Sequence, residues 1–179
     1  MSLGDDYNRL LVPISEQDHI QGLVSASVAL VEYGDYQCLI CGEAHQLIKA
    51  LQQQLYDLCF VFRHFPQPQI HPYAQRAAEA AQAAAAQGQF WQMHDILFTH
   101  QQELGNDYLV EYANNLGLDI PQFLQDISSQ VHINRINQDI KSGLNSGVAA
   151  APALFINEIS YIGRWNIDQL MAAIVTVIN

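Results

Sequence analysis

Cys38 and Cys41 are the residues whose type and spacing most directly suggest chemistry, and they bracket the dipeptide Leu39-Ile40. They stand where an apolar run ends and a helical periodicity begins. A thiol at a helix N-terminus meets unpaired backbone N–H groups and the positive end of the helix dipole. Both favour the thiolate, which is the reactive form of cysteine. Two cysteines one helical turn apart can close a small disulfide, so the pattern points to thiol–disulfide exchange. The outer cysteine, Cys38, is the expected nucleophile. Cys41, one turn in, is the expected resolving group for a mixed disulfide.

Other residues offer alternatives. Glu32 breaks the apolar run Val28–Val31 just before the cysteines. An acid buried in a strand is costly unless it is useful or paired. Burial would raise its pKa and let it exchange protons with the inner thiol. Equally, Glu32 could face outward on an edge or pair with a base such as Arg63. In Ala151-Pro152-Ala153 the proline leads into an apolar run, where its missing donor marks a strand start or a cis bond. The third cysteine, Cys59, sits in the apolar run Leu58–Phe62 and reads as an inert core residue. Cys38, Cys41 and His45 could supply three zinc ligands, but no second C-x-x-C exists and the remaining histidines lack compact ligand spacing. No metal or organic cofactor is therefore expected, and His45 reads as a surface residue of its helix. Trp91 and Trp165 read as packing residues.

The elements that must position these groups follow from periodicity. A short strand is expected near Leu10–Ile14, then a buried strand over Val28–Tyr33 ending at Gly34. Ala44, Leu47, Ile48, Leu51 and Leu55 recur at helical spacing after Cys41, and Leu58–Phe62 is again strand-like. This β–loop–α–β unit implies a parallel pair with a right-handed crossover. From about residue 68 to 147 the chain reads as wholly helical. An alanine-rich helix closes at Gly88, and a second carries Phe90, Met93, His94, Leu97 and Phe98. Asn106 or Asp107 is the expected cap of a third, and Asp119 of a short fourth. Ile133, Ile136, Ile140 and Leu144 make an apolar stripe on the last. A hairpin is expected over Ala153–Ile156 and Ile159–Ile162, turning at Asn157-Glu158, and then a helix capped by Asn166. The order β-α-β, helical block, β-β-α suggests one α/β domain with helices inserted between its halves.

Half of the 179 residues are hydrophobic and 14% are charged, which supports a buried core. The net charge is −11, and the seven bases are scattered singly. A phosphate-binding surface needs clustered bases, so nucleic acid and anionic membrane are poor partner candidates. No apolar run is long enough to span a bilayer. Met1–Asp6 lacks the positive and apolar regions of a secretory signal, which fits a cytoplasmic chain or the processed form of an exported one.

Val31-Glu32-Tyr33-Gly34-Asp35-Tyr36-Gln37-Cys38-Leu39-Ile40-Cys41, followed by Phe62-Arg63-His64-Phe65-Pro66, resembles the DsbA-type thioredoxin-fold oxidoreductases of bacteria. Ala77–Leu97, with Gly88-Gln89-Phe90-Trp91-Gln92-Met93-His94, is similar to that family's helical insertion. The resemblance runs from about Ile14 to the C-terminus. It implies a thioredoxin-like α/β fold with an all-helical insertion, the core at about 22–66 and 147–179 and the insertion at about 67–146. It implies disulfide exchange with protein substrates and a redox partner, with Cys38 attacking and Cys41 resolving. It further implies Pro152 as the cis-proline facing the pair and Glu32 as the buried acid. Leu39, Ile40 and Ala151 would then lie on the substrate side. Leu39-Ile40 lacks the histidine or proline common in the family, and Ala151 replaces its more usual threonine or valine. Without that histidine, the Cys38 pKa is expected between roughly 6 and 7.5. The alternative is a non-catalytic thioredoxin-like binding or regulatory domain.

Overall fold

The computed structural model describes residues 8–179. The leader question at Met1–Asp6 lies outside those residues. Among the described residues, five strands and seven helices follow one another, beginning with β1 (His19–Gly22), β2 (Val28–Gly34), α1 (Leu39–Gln54) and β3 (Leu58–His64). Next come α2 (Ala74–Ala86), α3 (Phe90–Thr99), α4 (Asn106–Asn115), α5 (Ile120–Ser128) and α6 (Ile133–Asn145). The chain closes with β4 (Ala153–Ile156), β5 (Ile159–Ser160) and α7 (Ile167–Ile178).

The sheet order is β1-β3-β2-β4-β5, with β2 and β3 parallel and the other pairs antiparallel. The central strands β2 and β3 are covered on both faces, so they read as near-continuous apolar runs. Side-chain alternation sorts them into two cores. Val28, Leu30, Phe60 and Phe62 meet α1, α2, α3 and α7, while Val31, Tyr33, Cys59 and Val61 face the opposite layer with Phe65 and Val148. The first core also takes in Ala80, Met93, Leu109 and Phe123 of the insertion. The inserted helices therefore share the sheet's core. Alanine-rich α2 is buried along most of its length because small side chains let four other helices approach it. Gly143 does the same for α6: an added Cβ would lie 3.0 Å from the rings of Tyr33 and Phe65.

Several expectations need correction. No strand forms over Leu10–Ile14; Arg9 makes a single bridge to Ile159, and the first true strand is β1. Four short residues with two polar side chains hide that edge strand from a periodicity search. Gly105, not Asn106 or Asp107, caps α4 and makes no side-chain bond there. Leu144 is exposed, and the buried face of α6 is Ile136, Asp139, Ser142 and Gly143. The second hairpin strand stops at Ser160. His45 is buried, because α3 packs over the side of α1 that carries Cys41 and Ile48. Asp119 and Asn166 each cap their helix by accepting an N–H from the residue three further on.

Glu32 does not pair with Arg63. In the parallel register Glu32 lies beside Phe62 and Tyr33 beside Arg63, so the two charges point to opposite faces. Arg63 instead holds buried Asp18 through Nε at 2.8 Å and Nη2 at 3.0 Å. Its remaining donors reach the carbonyls of Val12 and Pro13 and the Tyr33 hydroxyl. Arg63 thus fastens the N-terminal segment to the sheet. Removing it strands a buried carboxylate, so Arg63→Ala is expected to lose about 3–5 kcal/mol, read from urea denaturation midpoints. An effect under about 1 kcal/mol would show that the segment is held by other contacts.

Candidate active site

β2 ends at Gly34, and the chain turns through Asp35-Tyr36-Gln37 into α1. Asp35 fixes that turn by accepting the Gln37 N–H at 2.8 Å. Cys38 is the N-cap of α1, and its sulfur accepts the N–H of Cys41 at 3.4 Å. The thiol also lies 3.7 Å from the carbonyl oxygen of Ala151. Cys38 keeps 7% exposure and Cys41 none, so the outer sulfur is the one that solvent and partners can reach. Leu39 and Ile40 between them are 63% and 53% exposed and form an apolar rim. Both cysteines are free thiols.

The electrostatics separate the two sulfurs. The Cys41 thiol, hydrogen-bonded to Cys38, pulls the Cys38 pKa from 9.0 down to about 6, against burial. The N–H groups of Cys41 and Ile40 help, and the charge of Asp35 opposes. This value lies at the lower edge of the expected range, with no histidine involved; the donors are those of the helix N-terminus and the second thiol. Burial pushes Cys41 far up, and its bond to Cys38 and the charge of Glu32 push the same way. Thiolate titration by ultraviolet absorbance should therefore show one group near 6. Ile40→His should lower it by about a unit, since a nearby cation favours the thiolate. A wild-type midpoint near that of a free thiol would show that neither the Cys41 thiol nor the helix N–H groups stabilise the Cys38 thiolate.

Glu32 is fully buried on the α1 side of β2, and its Oε1 has no hydrogen-bond partner. Burial first, and the Cys38 charge second, raise its pKa from 4.5 to about 8. Its charge is felt by Cys41. Glu32 is thus a buried carboxyl that keeps its proton to higher pH than an exposed one and lies close enough to the inner thiol to act on it electrostatically.

The Ala151–Pro152 bond is cis, and this loop faces the pair through the Ala151 carbonyl. Buried Asp35 connects the loops around the site. Its Oδ2 accepts the N–H of Gln67 at 2.9 Å and lies 2.8 Å from Nδ1 of His71. Gln67 Oε1 in turn accepts the N–H of Ala151 at 3.1 Å. From the insertion, Gln101 Nε2 donates to the carbonyls of Tyr36 and Cys38 at 2.9 and 2.7 Å. Gln67, His71 and Gln101 were not picked out from sequence. Their partners lie tens of residues away, so no local pattern marks them; Asp35 alone had a signal, as an aspartate in a turn after a strand glycine. Cys59 lies on the other face of the sheet, away from the pair, and burial raises its pKa. Trp91 donates to the Ile20 carbonyl and packs on Phe60, Phe90 and His94.

Comparison with known proteins agrees with this architecture. A family model described as Thioredoxin matches residues 15–175. The thioredoxin-like oxidoreductase of Silicibacter pomeroyi superposes with a TM-score of 0.80 at 23% identity, over 90% of this chain and 92% of that one. BdbD of Bacillus subtilis gives 0.83 at 18% identity, over 93% and 95%. α-DsbA1 of Wolbachia pipientis gives 0.80 at 20% identity, over 94% of each. Among sequence relatives, a Na+/H+ antiporter NhaA of Salinispora tropica is 40% identical over 168 residues, which are 93% of this chain and 26% of the antiporter. One from Herminiimonas arsenicoxydans is 40% identical over 160 residues, covering 89% of this chain and 25% of that protein. The chain thus spans about a quarter of the length of these relatives, and among the described residues no helix is long and apolar enough to cross a membrane. The match over residues 15–175 places the chain in the thioredoxin family, with the helix-inserted fold of its DsbA-type members.

Proposed function

We propose that this chain is a DsbA-like protein thiol–disulfide oxidoreductase working through Cys38 and Cys41. The Cys38 thiolate attacks a substrate disulfide; a bond forms between Cys38 and one substrate sulfur, and the other leaves as a thiolate. Cys41 then passes its proton to Glu32 and attacks the Cys38 sulfur. The substrate leaves as a dithiol, and the chain holds a Cys38–Cys41 disulfide. Run backwards, the same steps oxidise a substrate and leave the chain reduced. Ala151 and Pro152, with Leu39 and Ile40, form the surface on which the substrate lies. The observation that carries this reading is the asymmetry of the pair. The outer sulfur keeps some exposure and is favoured as a thiolate by the Cys41 thiol first and by the N–H groups of the helix N-terminus second, while the inner one is fully buried, which favours its thiol form.

The partners would be proteins bearing thiols or disulfides, together with a redox partner that resets the pair. Ion exchange, named in the antiporter relatives, belongs to proteins of which this chain matches only about a quarter. The test is equilibration in glutathione buffers of graded ratio, with thiols trapped by alkylation and the products weighed. One intramolecular disulfide joining Cys38 and Cys41 should form and reverse with the buffer. Failure to form it at any ratio would overturn the proposal.

A further inference from the structure

We propose that His45, His94 and Asp95 form a binding site for a divalent transition-metal ion of the zinc class, between α1 and α3 and separate from the cysteine pair. One ligand atom from each residue lies within 4.8 Å of the other two. His45 Nε2 is 3.5 Å from Asp95 Oδ1, which suits two donors bonded about 2.0–2.2 Å from one ion. The carboxylate is divided between two tasks. Lys49 holds Oδ2 at 2.8 Å, while buried Oδ1 has no hydrogen-bond partner. A buried acceptor left open beside an imidazole is what a cation would satisfy.

The two imidazoles are equally prepared. Both are buried, His45 against Phe98 and His94 among Phe62, Trp91 and Phe98. The Tyr36 hydroxyl lies 3.0 Å from Nδ1 of His94 and fixes that ring, so Nε2 is the nitrogen that would serve as the ligand. Both rings are almost completely removed from solvent, at 5% and 2% exposure, which favours the neutral imidazole that binds metal. Two neutral imidazoles and one carboxylate suit Zn2+ and its first-row neighbours, with water completing the shell. Such an ion would fasten the helix that carries the cysteines to the helical insertion. The cysteines are not needed as ligands, in contrast to the Cys38, Cys41 and His45 set weighed from spacing.

The test is a Zn2+ titration of the chain with both active-site cysteines replaced, Cys38→Ser/Cys41→Ser, in competition with a chromophoric chelator. This background removes the thiolates as ligands and makes the result independent of the redox proposal. One equivalent should bind, and Zn2+ should raise the thermal midpoint, because the ligand binds the folded state. Adding His45→Gln or Asp95→Asn should weaken binding by about tenfold or more and abolish the thermal shift. Co2+ should give the visible absorption of a nitrogen–oxygen site. Absence of stoichiometric binding, or an affinity unchanged by both substitutions, would overturn the proposal.

Discussion

Replacing Cys38 by serine is expected to abolish disulfide exchange, while replacing Cys41 by serine is expected to trap substrates on Cys38. The difference follows from burial and charge. Cys38 is the sulfur with a reachable surface and a pKa near 6, so near neutral pH most of it is thiolate. Serine at Cys38 leaves a hydroxyl that does not attack disulfides at that pH, and the buried Cys41 cannot take over the attack. Serine at Cys41 leaves the first step intact and removes the second, so mixed disulfides accumulate. It also removes the thiol that contributes most to lowering the Cys38 pKa, so trapping should be slower than wild-type attack and should speed up with pH. Reduction of a model protein disulfide and mass spectrometry of trapped adducts measure both effects. A non-catalytic binding domain would show neither loss nor adducts, and adducts chiefly on Cys59 would reassign the nucleophile.

The second large effect concerns Glu32. In the folded chain its pKa is raised from 4.5 to about 8, chiefly by burial. In the unfolded chain it titrates near its ordinary value. Between these two values the unfolded state has lost a proton that the folded state keeps, so stability falls as pH rises through the window and levels off above about 8. Glu32→Gln has no such slope. The stability of the variant relative to wild type should therefore climb by roughly 4 kcal/mol between pH 5 and pH 8, whatever the amide costs on its own. Urea denaturation of the reduced proteins at several pH values measures this. The same variant should slow resolution of the mixed disulfide by about a hundredfold, the usual scale for losing a positioned base. Parallel stability curves would mean that Glu32 titrates in the folded chain where it does in the unfolded one and is already charged across most of this range. An unchanged rate of resolution would mean that water takes the Cys41 proton.

The parts of this fold that announce themselves in the sequence are those whose burial is periodic. β2 and β3 are apolar on both faces and bounded by polar turns, and α1 and α7 carry regular stripes. Their register follows once the crossover between β2 and β3 is taken as right-handed and parallel. β1 is an edge of four residues, half-buried through His19 and Gln21, and nothing about it alternates clearly. The stripe on α1 misplaced His45 because a helix covered on two sides buries more than one stripe, and α3 is 45 residues away in the chain. The cysteines, Glu32 and the Ala151–Pro152 junction could be picked out because each breaks a local rule: paired thiols at a helix start, an acid in an apolar strand, a proline before a strand. Gln67, His71 and Gln101 break no rule. They are ordinary polar residues whose meaning lies wholly in what folding brings beside them.

The carboxylate of Asp35 has a consequence for how this site can be altered. It accepts from the turn before Cys38 and from the segment after β3, and through Gln67 it reaches the loop of Ala151. A change in any one of these segments is therefore transmitted to the other two, because a displaced partner leaves a buried charge short of a donor. The four residues Cys38–Cys41 are thus not a transplantable cassette. Grafted alone onto another scaffold, they would carry the thiols but neither the anchored turn nor the aligned Ala151 carbonyl. Because the Asp35 charge opposes the Cys38 thiolate and Asp35 is held by Gln67, loop-length changes between β3 and α2 are expected to shift the Cys38 pKa without touching either sulfur.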